Sequence, residues 1–174
     1  TALAPNDNDT KAGLMAREAA TSVSRMAYVR ATPFGPTRNQ AVGDGDVAMQ
    51  FRSLTQGNTA TCGLFDYPAT PFPSQCFVRL EMHGSVVGSY RSADGVNWVL
   101  LCDQDTASWP GGRLVDNLQV GLAVSRGPQG ASTTATAEFR QLLTSEQGPL
   151  PPTITSIPDQ TIDEDKSTAA LPFL

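Results

Sequence analysis

His83 is the sole histidine of the chain, and Cys62, Cys76 and Cys102 are its three cysteines, so residues suited to nucleophilic or metal chemistry are few and dispersed. A zinc site is built from nitrogen and sulfur ligands in local pairs such as Cys-x-x-Cys, and no such pair occurs. A serine nucleophile needs a positioned base, and His83 stands in the Gly-containing link His83-Gly84-Ser85, where it reads as a polar turn residue. Retaining glycoside hydrolysis needs two carboxylates about 5 Å apart, which alternate positions of one strand would supply. Glu81 has no acid two or four residues along its strand, and Asp163-Glu164-Asp165 alternates wrongly. No catalytic residue is assigned, and the chain is expected not to be an enzyme.

Binding chemistry fits the residues better. A pyranose stacks its C–H face on Trp or Tyr while its hydroxyls take hydrogen bonds from neighbouring polar groups. Trp109, followed by Pro110-Gly111-Gly112, and Tyr67 with Phe72 in a Pro-rich stretch, are aromatics at positions where no strand alternation demands them. With Arg91, Trp109 and Tyr67 form the candidate ligand-binding set; the competing reading has these rings plugging loops onto the core. Arg30, Gln50, Arg52, Arg79, Glu81, Ser89 and Arg91 either line a sheet face as partners for hydroxyls or are the wet side of a sandwich. Asp44-Gly45-Asp46 and Asn6-Asp7-Asn8-Asp9 carry oxygen ligands of the kind calcium takes, but neither fits a complete loop motif, and solvated turns account for both. No cofactor is expected and no metal ligand is assigned.

The elements that would position these groups are strands. From Phe77 to Leu101, Val78, Leu80 and Met82 alternate with Arg79 and Glu81; Val86, Gly88 and Tyr90 alternate with Ser89 and Arg91; Val96, Trp98 and Leu100 share a face. Alternation with period two is the mark of a half-buried strand, and His83-Gly84-Ser85 and Ala93-Asp94-Gly95 supply the turns, so this stretch is an antiparallel meander with Trp98 sealed in the core. Strand patterns also occupy Ala12 to Arg17, Arg25 to Thr32, Val47 to Ser53, Leu118 to Ser125 and Ser132 to Leu142. About eight to nine strands suit a two-sheet sandwich, so the fold class is an all-β, antiparallel β-sandwich.

Cys62 and Cys76 flank a loop containing Pro68, Pro71 and Pro73. A bridge between them would contribute about 3 kcal/mol by restricting the unfolded chain; the alternative is that both are small buried hydrophobes. Cys102 then reads as a buried thiol.

At 174 residues the chain has room for one domain and a remnant of another. Its net charge of −5, without a basic stripe, gives a nucleic acid little to attract. No apolar run approaches the roughly 20 residues that span a bilayer. The opening Thr1-Ala-Leu-Ala-Pro-Asn-Asp-Asn-Asp9 is neither an initiator Met nor a signal peptide, so the chain is expected to start inside a longer protein. Glu146-Gln-Gly-Pro-Leu-Pro-Pro152 has the stiff, extended character of a linker. The division expected is a sandwich over 1–144, a Pro-rich linker over 145–153 and the opening of a second sandwich over 154–174.

Ala12-Gly-Leu-Met-Ala-Arg-Glu18, Arg25-Met-Ala-Tyr-Val-Arg-Ala-Thr-Pro33, Phe77-Val-Arg-Leu80, Gly88-Ser-Tyr-Arg-Ser-Ala-Asp-Gly-Val-Asn-Trp98 and Val120-Gly-Leu-Ala-Val124 together resemble a bacterial concanavalin A-like lectin/glucanase module of the laminin-G-like jelly-roll kind. Such modules carry further strands before the first of these motifs, which implies that the first sheet is N-terminally incomplete. Pro158-Asp-Gln-Thr-Ile-Asp-Glu-Asp165 resembles the start of a cadherin-like or immunoglobulin-like repeat, where Asp163, Glu164 and Asp165 would ligate calcium at a junction. The resemblance implies a non-catalytic carbohydrate-binding or adhesion module of a secreted or cell-surface multidomain protein, partnered by a polysaccharide or cell-surface glycan and by neighbouring domains. The alternatives are a structural spacer or protein-interaction sandwich, and an accessory domain of a glycoside hydrolase.

Overall fold

Strand after strand of this chain carries seven residues, enough to cross a sheet once and expose a different side chain set on each face. The computed structural model describes residues 2–3, 10–32, 45–66, 76–125, 136–145 and 160–163. In chain order these form β1 (Ala2–Leu3), β2 (Lys11–Arg17), β3 (Met26–Thr32), β4 (Asp46–Arg52), β5 (Ala60–Asp66), β6 (Phe77–His83), β7 (Val86–Ser92), β8 (Val99–Asp105), a 3-10 turn (Thr106–Ser108), β9 (Gln119–Ser125), β10 (Thr136–Phe139) and β11 (Gln160–Asp163). The protein is an all-β sandwich. A five-stranded sheet runs β5-β4-β3-β2-β9, a three-stranded sheet runs β6-β7-β8, and a short sheet runs β1-β10-β11. Neighbours are antiparallel throughout. No helix among the described residues is long and apolar enough to cross a membrane.

Apolar residues at alternate positions build the interior. Ala27, Val29 and Ala31 of β3 stand opposite Phe51, Met49 and Val47 of β4, on the face that meets the three-stranded sheet. From that second sheet Val78, Leu80 and Met82 of β6 and Val87 of β7 close on them, with Trp109, Leu114 and Leu118 from the segment after β8. Leu80 touches both core clusters and joins them. Farther along the same face, Ala137 and Phe139 of β10 cover Ala12 of β2 and Leu122 and Val124 of β9. Hence β10 continues the second layer beside β6–β8.

One covalent link joins the layers, and it corrects the expected pairing. The bridge is Cys62–Cys102, from β5 to β8, with Cα atoms 5.9 Å apart; Cys76, the residue just before β6, lies buried with Val29, Ala31 and Val47. The physical reason is a close approach of two backbones. Gly63, at φ +62°, brings β5 so near β8 that a Cβ there would collide with the Leu101 carbonyl, and this sets its neighbour Cys62 against Cys102. A bridge spanning 40 residues of sequence contributes about 4 kcal/mol in the chain-entropy model.

A second tie fixes the end of the sandwich. Arg25 Nε donates to Glu18 Oε2 at 2.8 Å, and its Nη2 donates to the Arg113 carbonyl at 3.0 Å and also meets Glu18 Oε1. Arg25 Nη1 donates to the Gly112 carbonyl, and Glu18 Oε1 accepts the Val115 N–H at 3.2 Å. The pair therefore pins the loop carrying Trp109 and Leu114 to the turn between β2 and β3.

β11 is hydrogen-bonded to β10 in the register Thr136↔Asp163 to Phe139↔Gln160. This strand belongs to the stretch assigned by sequence to a following repeat. Tyr67, Phe72, Asp44, Asn6 to Asp9, the linker from 146 and the remaining tail residues lie outside the described residues.

Candidate functional site

The geometry of β7 decides which side chains meet solvent. β6 and β7 are joined by the two-residue link Gly84-Ser85, with His83 opposite Val86. Met82 therefore faces Val87, Leu80 faces Ser89, and Val78 faces Arg91. Since Leu80 and Met82 point into the core, so do Val87 and Ser89, whose hydroxyl donates to the Cys102 carbonyl at 3.2 Å. This corrects the sequence reading that set Val86, Gly88 and Tyr90 inward. Those three occupy the outer face, and their parity brings Tyr90, which the sequence reading set inward, beside Arg79 and Glu81.

On that outer face the rows across the sheet read Arg79–Tyr90–Leu100, then Glu81–Gly88–Asp103, then His83–Val86–Asp105. The Arg79 guanidinium carbon lies 4.5 Å from the centre of the Tyr90 ring and 4.6 Å from that of Trp98. Arg79 Nε is 3.1 Å from Glu81 Oε1, and His83 Nε2 is 3.6 Å from Glu81 Oε2. The Tyr90 ring folds back over the bare strand at Gly88, where an added Cβ would sit 3.2 Å from its Cε2 and Oη. Burial against its neighbours, then the charge and hydrogen bond of Glu81, push the Tyr90 phenol up; Arg79 opposes and Asp103 adds to the shift.

Trp98 is not sealed between the layers, as its alternation with Val96 and Leu100 had implied. It is half-buried just before β8, Val96 is 77 % exposed in the turn, and Leu100 is 49 % exposed. A fixed turn delivers Trp98 to the outer face. Asp94 Oδ1 accepts the N–H groups of Val96 and Asn97 at 2.9 and 2.8 Å, its Oδ2 accepts from Asn97 Nδ2 at 2.7 Å, and Ser92 Oγ accepts the Gly95 N–H at 2.9 Å. The Asn97 and Val96 backbone bonds, followed by those from the Asn97 and Ser92 side chains, hold the Asp94 carboxyl well below the usual carboxylate range. Gly95 closes the turn at φ +76°, directly over Phe77.

The expected ligand-binding set fares differently. Trp109 is 6 % exposed and stacks on Phe51 with ring centres 5.4 Å apart, because Leu114 and the Arg25–Glu18 tie draw its loop onto the core. It presents no face to a ligand, which corrects its assignment. Arg91 has inner parity opposite Val78, and its guanidinium carbon lies 3.3 Å from the centre of the Phe65 ring of β5, so it is committed between the layers. Tyr67 lies outside the described residues.

Of the polar strand positions, Arg79 and Glu81 do share the open face. Arg30 is buried and paired with Asp46, contrary to a wet role. Arg52 donates to the Gly57 carbonyl at 2.9 Å and to the Ser22 and Ser24 carbonyls at 2.6 and 3.1 Å, holding two turns. No group of His, Cys, Asp and Glu arranged to hold a metal occurs among the described residues.

No protein-family model, no curated protein and no solved structure matches this chain.

Proposed function

We propose that the chain is a carbohydrate-binding or adhesion module of a secreted or cell-surface protein, and that its contact face is the outer face of β6–β8. The observation that carries the reading is the Tyr90–Arg79–Trp98 cluster on an open sheet face. Two aromatic rings held by a guanidinium give a sugar apolar surface to cover, and Glu81 and Asp103 beside them give its hydroxyls acceptors. The Asp94 turn fixes the backbone leading into Trp98 and the Tyr90 ring is seated over Gly88, which limits the ordering cost of binding. The inter-sheet bridge supports an oxidising compartment, where such bridges persist.

The test is a titration of the chain against a panel of polysaccharides, repeated with Trp98→Ala and Tyr90→Ala. A flat group stacked on an aromatic side chain contributes about 1 kcal/mol or more, so either variant should weaken binding about fivefold or more while the far-ultraviolet circular dichroism stays that of the parent. Absence of binding to every polysaccharide, or binding indifferent to both variants, sinks the reading.

A protein ligand is the second reading, favoured by the exposed Val96 and Leu100 beside Trp98. It expects Val96→Ser and Leu100→Ser to weaken capture of a protein partner with no polysaccharide bound at all.

A further inference from the structure

The charges around the rings select among glycans. We propose that the outer face of β6–β8 takes a neutral, hydroxyl-rich polysaccharide and repels carboxylated or sulfated ones, an inference that rests on the glycan reading above. Among the described residues, Glu81, Asp103 and Asp105 project from this face and Asp94 stands in the adjoining turn, against the Arg79 guanidinium; His83 left aside, these four negative groups and one positive group sum to −3. The chain as a whole, at −5, has the same sign.

The Arg79 guanidinium stands over the Tyr90 and Trp98 rings and pairs with the Glu81 carboxylate, so its charge is partly offset within the cluster. An anionic sugar seeks a fork of in-plane N–H donors, whereas a ring laid on Tyr90 or Trp98 meets carboxylates on its flanks. Ionised carboxylates accept hydrogen bonds and donate none, so they reward hydroxyl donors and reject a second carboxylate. Gly88, between Glu81 and Asp103 in the row across the sheet, seats the Tyr90 ring, so the two acids flank that ring on the neighbouring strands. Hydrogen bonds from Ser85 and the Ala107 N–H hold the Asp105 carboxyl below its ordinary value, and Asp94 is held low as described, so both remain charged in ordinary buffers.

The experiment titrates the 174-residue chain with neutral polysaccharides and with the carboxymethylated form of each, so that charge changes while the backbone stays the same. Expected is a loss of affinity on carboxymethylation of about tenfold or more at about 0.02 M salt, shrinking several-fold at about 0.5 M, where charges are screened within a few ångströms. The Glu81→Gln/Asp103→Asn double variant should narrow the gap between the two forms. Carboxymethylated polymer binding as tightly as neutral, or a gap that neither salt nor the double variant reduces, overturns the charge selection while leaving glycan binding in place. Failure of every neutral and charged polymer to bind overturns both.

Discussion

Tyr28 and Tyr90 sit on the central strands of opposite sheets, each on the side turned away from the other layer, and they meet opposite surroundings. Tyr28 is buried with Met26, Arg30, Thr32, Asp46 and Ala48, and its hydroxyl donates to the Ala123 carbonyl at 3.1 Å. Tyr90 remains half-exposed beside Arg79 and Glu81. The five-stranded sheet is closed on both faces at β3, so its residues answer for stability. On the outer face of the three-stranded sheet the described residues Val86, Tyr90 and Leu100 stay exposed or half-buried, so the same residue types there meet solvent.

The two tryptophans give the strongest test of that contrast. Trp109→Ala empties a core position and should cost about 4 kcal/mol in chemical denaturation, whereas Trp98→Ala removes a half-buried ring and its cation–π contact and should cost about 1–2 kcal/mol. Equal costs would erase the distinction between closed and open layers. Next in size is the bridge: replacing Cys62 and Cys102 together by Ser should cost about 4 kcal/mol under oxidising conditions. Non-reducing peptide mapping should find Cys62 joined to Cys102 in the parent and still joined in Cys76→Ser. Arg25→Ala should cost about 3 kcal/mol, since it leaves Glu18 without its partner and frees the loop holding Trp109; a change within error would show that packing alone holds that loop.

The smallest effect is read by pH. Burial raises the pKa of both phenols, most strongly for Tyr28, where Arg30 opposes it weakly. A folded value above the unfolded one, near 10, means that the stabilisation is complete below that pH and is lost as pH rises through the folded value. Phenolate absorbance should therefore show Tyr90 ionising above the free-tyrosine range while the chain is still folded, and earlier in Glu81→Gln. Tyr28 should ionise only as the chain unfolds. Simultaneous ionisation of the two would contradict their different burial.

Much of the fold was legible because period-two apolar patterns survive in single strands: Val78, Leu80 and Met82 mark β6, and Val120, Leu122 and Val124 mark β9. β5 was missed because its described side chains are mostly exposed or half-buried and Gly63 interrupts the alternation. The facing of β7 failed for another reason. Its inner set, Val87, Ser89 and Arg91, carries only one apolar residue, while Val86 and Tyr90 lie outside; only the two-residue link at Gly84-Ser85, counted from Met82, contains the right parity. The candidate site followed that error, because a strand tyrosine and a strand-edge tryptophan look like core until the register is known. Cysteine pairing was misjudged by proximity in sequence, since Cys62 meets Cys102 through a crossing of sheets that no local pattern encodes.

The Cys62–Cys102 bridge ends on β8, the strand that Trp98 leads into, and starts on β5 in the opposite layer. A pull applied at the rings thus passes from one sheet to the other through a chemical bond as well as through packed methyl groups. Reduction would leave sliding between the layers opposed by packing and short-range contacts alone, so the force needed to shear one sheet from the other should fall on treatment with thiol reagents.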